Sequence, residues 1–233
     1  MKKLTFIMAG LIMMSVINAQ TLDEIVKKYT EANKLDHVAS LKTIKITANM
    51  SVAGMEMPMV FYMKNPDKIK SVTSFNGQDM VQAYDGEKGY SINPMTGSTD
   101  PVEMTPEQVK QTLRSNIFQN SMANYLKNGQ LALAGEENVN DKPAYKIKAT
   151  VEGGLVIDMF IDKSSYFLVK TSTTTEMNGM TVTMDSYPSD YTETSGIMIP
   201  MKTSTSAQGM DIIINFTKVE VDVPMEDSFF KIK

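Results

Sequence analysis

The chain has no cysteine and no tryptophan, and only one histidine. Among its 23 basic residues there is one arginine, Arg114. Zero cysteine excludes disulfides, thiolate metal sites and a cysteine nucleophile. It also excludes a lipid anchor attached through cysteine, so stability must come from a hydrophobic core. A net charge of −4 with a solitary arginine argues against nucleic acid, whose phosphates call for clustered Lys and Arg. His37 has neither a nucleophile nor an orienting carboxylate near it in sequence, and it reads as a surface residue in a loop. No Gly-x-Ser-x-Gly elbow, EF-hand spacing or phosphate loop is present. Glu136-Glu137 and Asp185 read as solvated turn and strand residues. These absences point away from an enzyme, and no cofactor or bound metal is implied.

Long hydrophobic runs are also missing, with one exception at the start. Lys2 and Lys3 precede an apolar run from Leu4 to Ile17, and Asn18-Ala19 then offers a small residue at a cleavage point. This order describes a secretory signal peptide. The run falls short of the ~20 apolar residues that span a bilayer. Cleavage after Ala19 makes residues 1–19 the signal peptide and Gln20 the first mature residue. Residues 20–233 are then expected to form a single domain, soluble in the periplasm and monomeric. The leader takes two lysines with it, which moves the mature net charge from −4 to −6. That acidity is thinly spread and reads as solubility.

What the chain does contain is alternation. Ile44, Ile46, Ala48, Met50 and Val52 are apolar, and Lys45, Thr47, Asn49 and Ser51 between them are polar. Tyr145, Ile147, Ala149 and Val151 repeat the pattern, as do Met180, Val182 and Met184. Period two with one apolar face means antiparallel strands half-buried on one side. Asn76-Gly77, Asp85-Gly86, Gly153-Gly154 and Asn178-Gly179 supply tight-turn signals, with weaker ones at Pro66-Asp67 and Asn140-Asp141. The apolar phase shifts between Phe216 and Val219, which places a bulge near Thr217-Lys218.

Two helical zones interrupt the strands. Thr21 and Glu24 have capping-box spacing, and Leu22, Ile25, Val26 and Tyr29 follow at helical period. Thr105, Pro106 and Gln108 open a second zone in the same way. Val109, Leu113 and Ile117 continue it at four-residue steps. Met122, Tyr125 and Leu126 carry the stripe on, after a break near Asn120, until Gly129 stops it. The resulting expectation is an α+β fold: one highly curved antiparallel sheet, an open half-barrel of about 11–12 strands. A helical lid covers its apolar concave face.

Methionine is the unusual abundance. Of 21 methionines, 17 remain after the leader is removed. Met55, Met57, Met59, Phe61 and Met63 alternate along one strand and share a face. Three readings compete. The face is ordinary core; or it is a soft-metal site, because thioethers suit Cu(I); or it is a deformable surface for flexible apolar partners. The third explains why so poorly specifying a residue is used so often.

Several stretches carry a resemblance. They are Gly54-Met55-Glu56-Met57-Pro58 before an aromatic strand, the lysine–proline turn of Met63-Lys64-Asn65-Pro66-Asp67-Lys68, and Val81-Gln82-Ala83-Tyr84-Asp85-Gly86. The aspartate-led segment from Asp162 to Lys170 joins them, as does the tail from Val219-Glu220-Val221-Asp222-Val223-Pro224 to Ser228-Phe229-Phe230. Together with the order of elements, these resemble the LolA-like outer-membrane lipoprotein-sorting proteins. The resemblance implies an open half-barrel whose helices close over a hydrophobic cavity. It also implies a periplasmic carrier of lipoprotein acyl chains, served by inner-membrane release machinery and an outer-membrane acceptor. The family's carrier uses an arginine early in the sheet to hold its lid; here the only arginine, Arg114, falls in the helical insertion.

The expected function is therefore binding or carrying acylated lipoprotein or lipid. The ligand is expected to meet Met50, Val52, Met57, Met59, Phe61 and Met63 from the sheet, and Val109, Leu113, Ile117 and Met122 from the lid. Two other readings stand beside it: a Met-rich copper-handling protein, and a non-transporting scaffold on the same fold.

Overall fold

The computed structural model describes residues 20–119, 122–151, 154–177, 180–207 and 209–232. The expected signal peptide, the break near Asn120, and the Gly153-Gly154 and Asn178-Gly179 turns lie wholly or partly outside these residues. Two helices come first, α1 (Leu22–Ala32) and α2 (Leu35–Val38). A meander follows: β1 (Thr43–Val52), β2 (Met55–Lys64), β3 (Lys68–Phe75), β4 (Gln78–Tyr84), β5 (Gly89–Ile92) and β6 (Val102–Glu103). Next come α3 (Pro106–Leu113) and α4 (Met122–Lys127). A second meander closes the chain: β7 (Leu131–Val139), β8 (Lys142–Thr150), β9 (Val156–Asp162), β10 (Leu168–Met177), β11 (Met180–Thr194), β12 (Ile197–Ala207) and β13 (Met210–Val221).

All thirteen strands belong to one antiparallel sheet in the order β6-β5-β4-β3-β2-β1-β13-β12-β11-β10-β9-β8-β7. The architecture is the curved, open α+β sheet that alternation implies. It has one strand beyond the dozen expected, the two-residue β6. The two meanders meet at β1 and β13, whose register shifts where Thr217 is bulged out between Thr47↔Lys218 and Ala48↔Phe216. The Thr217 hydroxyl donates to the Thr47 carbonyl at 3.1 Å. The bulge keeps Val219 and Phe216 on one face despite their odd spacing.

The order of strands fixes where the second helical zone must run. Its edges, β6 and β7, are consecutive in the chain. Thirteen strands would stand about 58 Å from edge to edge if flat. The stretch from Met104 to Gln130, partly coiled into α3 and α4, can join those edges economically only across the inside of a curled sheet. There its apolar residues meet the apolar face of the strands. Leu113, Ile117 and Phe118 pack against Ile44, Met63 and Ile69. At the other half, Met122 and Leu126 join Ile25 and Val26 of α1 over Tyr145, Ile147 and Ile161. Each such fully buried aliphatic contributes ~1.5–3 kcal/mol relative to exposure.

Both capping boxes form, Thr21 with Glu24 and Thr105 with Gln108. Gly129, at φ 67°, ends α4: its N–H donates to the Leu126 carbonyl and that of Gln130 to Tyr125. The stripe Val109–Leu113–Ile117 is not carried on one helix, since α3 ends at Leu113. Asn116 is buried just beyond, and its side-chain oxygen accepts from the Phe118 N–H at 3.0 Å. A side chain thus takes a backbone donor that a continuing helix would use. His37 lies in α2 rather than in a loop, and its ring covers Gly196 at the β11–β12 turn, 3.0 Å from where a Cβ would stand.

Asp162 ties the turn after β9. One of its carboxylate oxygens accepts from the Ser164 and Ser165 amides at 3.0 and 2.7 Å, and from both hydroxyls at 2.6 and 2.9 Å. Burial opposes its ionisation, but these donors outweigh that effect and hold the carboxyl below the ordinary value. A depressed folded-state pKa gives stability that is complete above the unfolded-state value, ~3.9, and is lost as pH falls through the folded-state value. Asp162→Ala should therefore lower the unfolding free energy by about 1–3 kcal/mol near neutral pH, read by urea denaturation. The gap should narrow as the medium is made more acidic than pH ~4. A gap unchanged down to about pH 2 would contradict this account.

Candidate functional site

The inner face of the sheet can be followed residue by residue across the ladder. Met50 stands opposite Met57, Ala48 opposite Met59 and Ile46 opposite Phe61. Met59 and Phe61 in turn face Thr73 and Ser71, which face Met80 and Gln82. Gln82 faces Ser91 on β5. Across this row lies α3, and between them is a recess of about 590 Å³.

Its lining is mixed. Met50, Met59, Phe61, Ile69, Met80 and Met104 supply apolar surface. Interleaved with them on the same sheet face are Ser71, Thr73, Gln82 and Ser91, and α3 and the turn after it add Gln108, Gln111, Thr112 and Ser115. Among the described residues, no charged side chain lines the recess. Gly89 is what lets α3 approach β5. A Cβ there would stand 2.7 Å from Val109 Cγ2 and 3.0 Å from the Met104 sulfur.

The residues expected from the sequence to meet the ligand fall in several places. Met50, Met59 and Phe61 line the recess. Met57 is buried beside Met50, and Val52 stands half-buried at the tip of the β1–β2 hairpin opposite exposed Met55. Met63 is buried in the core, with Leu113 and Ile117 packed over the same cluster. Val109 presses on Gly89. Met122 sits in the other half, among Ile25, Val26 and Tyr145. The polar part of the lining is what sequence reasoning missed. Ser71, Thr73 and Gln82 occupy inward positions, but a search for alternating apolar residues passes over them.

A second hollow of about 390 Å³ lies under the helices between Tyr29, Leu35, Ile117, Phe118 and Tyr191. The Leu113–Phe118 segment stands between the two. Burial pushes the Tyr29 hydroxyl up to about 12, and burial followed by the nearby Tyr29 raises that of Tyr191, so both stay neutral. A third hollow, about 710 Å³, lies against the opposite face beside Val139, Val169 and Tyr187.

The carboxylates and the arginine are engaged elsewhere. Glu136 pairs with Lys163 at 2.7 Å, Glu137 with Lys146 at 3.3 Å and Asp185 with Lys170 at 2.8 Å. Arg114 caps α3 and lies 3.9 Å from Glu107 of the same helix. Among the described residues there is no group of three or more His, Cys, Asp or Glu side chains able to hold a metal ion. Among the same residues no helix is long and apolar enough to cross a membrane.

No family model matches the chain, and no curated protein matches it. Solved structures do. A DUF1329 family protein from Desulfovibrio piger superposes with a TM-score of 0.60 at 15% identity, over 89% of this chain and 97% of that one. A LolA superfamily protein from Nitrosomonas europaea gives 0.58 at 12% identity, over 91% and 98%. An outer-membrane lipoprotein-sorting protein domain from Vibrio parahaemolyticus gives 0.58 at 11%, over 90% and 97%. The chain has a LolA-like fold.

The close approach at Gly89 gives a direct test of how the recess is built. Gly89→Ala should cost about 1–3 kcal/mol by overpacking Val109, measured by thermal or urea unfolding. In a Val109→Ala background the added penalty should shrink, because the nearest colliding atom is gone. Equal penalties in the two backgrounds would show that α3 does not seat on β5 in this way.

Proposed function

We propose that this protein binds acylated lipoprotein or lipid in the periplasm and carries it, with acyl chains held between the sheet's inner face and the helices. The observation that carries the reading is the recess itself. Its volume, about 590 Å³, falls within the roughly 300–1,000 Å³ of small-molecule sites. Four methionines and a phenylalanine contribute to its apolar side. Methionine is unbranched and polarisable, so such a surface can follow chains of differing length and bend. Each methylene taken from water contributes ~0.8 kcal/mol. The fold supports the same reading, because one structural relative is named for outer-membrane lipoprotein sorting.

On this proposal Met50, Met59 and Phe61 touch the ligand, and Val52 and Met57 extend the surface towards the hairpin tip. Met63, Val109, Leu113, Ile117 and Met122 seat the covering segment, and become ligand contacts where it lifts. The leader is removed after Ala19, and residues 20–233 act as one soluble domain. Inner-membrane release machinery and an outer-membrane acceptor are its partners. Binding and delivery, rather than catalysis, are its work.

Native mass spectrometry of the mature protein, isolated from a bacterial periplasm without detergent, tests the proposal. A heterogeneous added mass that fragments into acyl chains is expected. It should be lost from Met59→Asp and from Ser71→Trp, which fills the recess from a half-buried position. The melting temperature of Ser71→Trp separates blockage from unfolding. A clean mass that also fails to take up added lipid or acylated peptide would overturn the carrier reading.

A further inference from the structure

The polar groups of the recess constrain which part of an amphiphile can sit there. Ser71, Thr73, Gln82, Ser91, Gln111 and Ser115 all line it. Among the described residues, none of these six side chains has a hydrogen-bond partner within the protein. They are neutral groups able both to donate and to accept. Ser71, Thr73 and Gln82 lie beside Phe61, Met59 and Met80 on the same sheet face, and among the described residues neither a cation nor a carboxylate lines the recess.

Two kinds of ligand fit this poorly. A bare hydrocarbon would strip water from hydroxyls and amides and return no hydrogen bond. A phosphate drawn into the recess would lose hydration with no lysine or arginine to compensate. What suits this mixed lining is an acyl chain joined to an uncharged, carbonyl-bearing linkage. The chain lies on Met50, Met59 and Phe61, and the carbonyl oxygens accept from Ser71, Thr73, Gln82 and Gln111.

We infer that the recess selects uncharged acyl ester or acyl amide linkages and discriminates against amphiphiles that bring a phosphate into it. This rests on the carrier reading above and narrows it to a ligand class. Ester carbonyls of an acylated glycerol and the amide of an N-acylated peptide share the chemistry.

The delipidated mature protein is titrated with three probes: dioleoylglycerol, dioleoylphosphatidate, and an uncharged N-palmitoyl dipeptide amide. The first two differ only in the phosphate; the first and third separate ester from amide sources. Dioleoylglycerol is expected to bind at least about 10-fold more tightly than the phosphatidate, from the uncompensated desolvation of its phosphate. The N-palmitoyl amide should bind too. Gln82→Lys, at an exposed position on the rim, brings an ammonium to the recess and should narrow or reverse that ratio. Gln82→Leu combined with Gln111→Leu should weaken both neutral probes, with the melting temperature confirming that the protein is folded. Equal affinity for dioleoylglycerol and phosphatidate, or a ratio untouched by Gln82→Lys, overturns the inference and leaves the carrier reading standing. Failure of all three probes to bind overturns both.

Discussion

The structure depends on one topological constraint: the two free edges of the sheet are joined by a single short crossing. β6 and β7 are neighbours in the chain and opposite ends of the sheet. The residues between them must traverse the whole inner face, and the sheet must curl enough to let them. Curvature, helical cover and enclosed space are therefore one feature rather than three. The crossing segment also decides which parts of the inner face are sealed. Where Leu113, Ile117 and Phe118 press on Ile44, Met63 and Ile69, the face becomes core. Where α3 meets β4 but stands off from β2 and β3, it becomes a recess.

That division separates stability from binding. The β8–β9 half, under α1 and α4, has buried aliphatic and tyrosine side chains and is closed by hydrogen bonds from Tyr145 and Tyr166 to Gln20 at 2.6 and 2.9 Å. Outside the sheet, the C-terminal tail adds support: Lys64 reaches Asp227 at 2.7 Å and Tyr62 meets Phe229 edge-on at 4.8 Å. With the fold held by these contacts, the wall formed by β1 to β5 can leave methionines and hydroxyls partly uncovered. The electrostatics agree. Among the described residues the lining of the recess carries no charge, which accommodates neutral chemistry.

The abundance of methionine acquires a location in this picture. Met50, Met59, Met80 and Met104 come from four separate stretches and converge on one space. Met55, in the same alternating run, is 48% exposed at a hairpin tip, whereas Met63 is 3% exposed in the core. One strand thus passes from solvent through the recess into the core within nine residues. Its alternation is continuous, but its neighbours change along the way.

Local chemistry was legible in the sequence because it depends on neighbours in the chain. Thr21 with Glu24 and Thr105 with Gln108 cap helices as their spacing requires. Alternation gives the strands, and the phase slip after Phe216 gives the bulge at Thr217. The half-barrel class was legible through the same patterns. The Ala53-Gly54 and Ser195-Gly196 turns were harder to read, because Ala53 and Ser195 adopt positive φ of 50° and 51°, which their residue types do not advertise. What only the tertiary structure decided was which inward residues are sealed and which face open space. Ser71, Thr73 and Gln82 are unremarkable polar residues until the register sets them beside Phe61, Met59 and Met80 in the recess beside α3. That juxtaposition comes from long-range strand pairing and one crossing segment, and neither leaves a periodic mark in the chain.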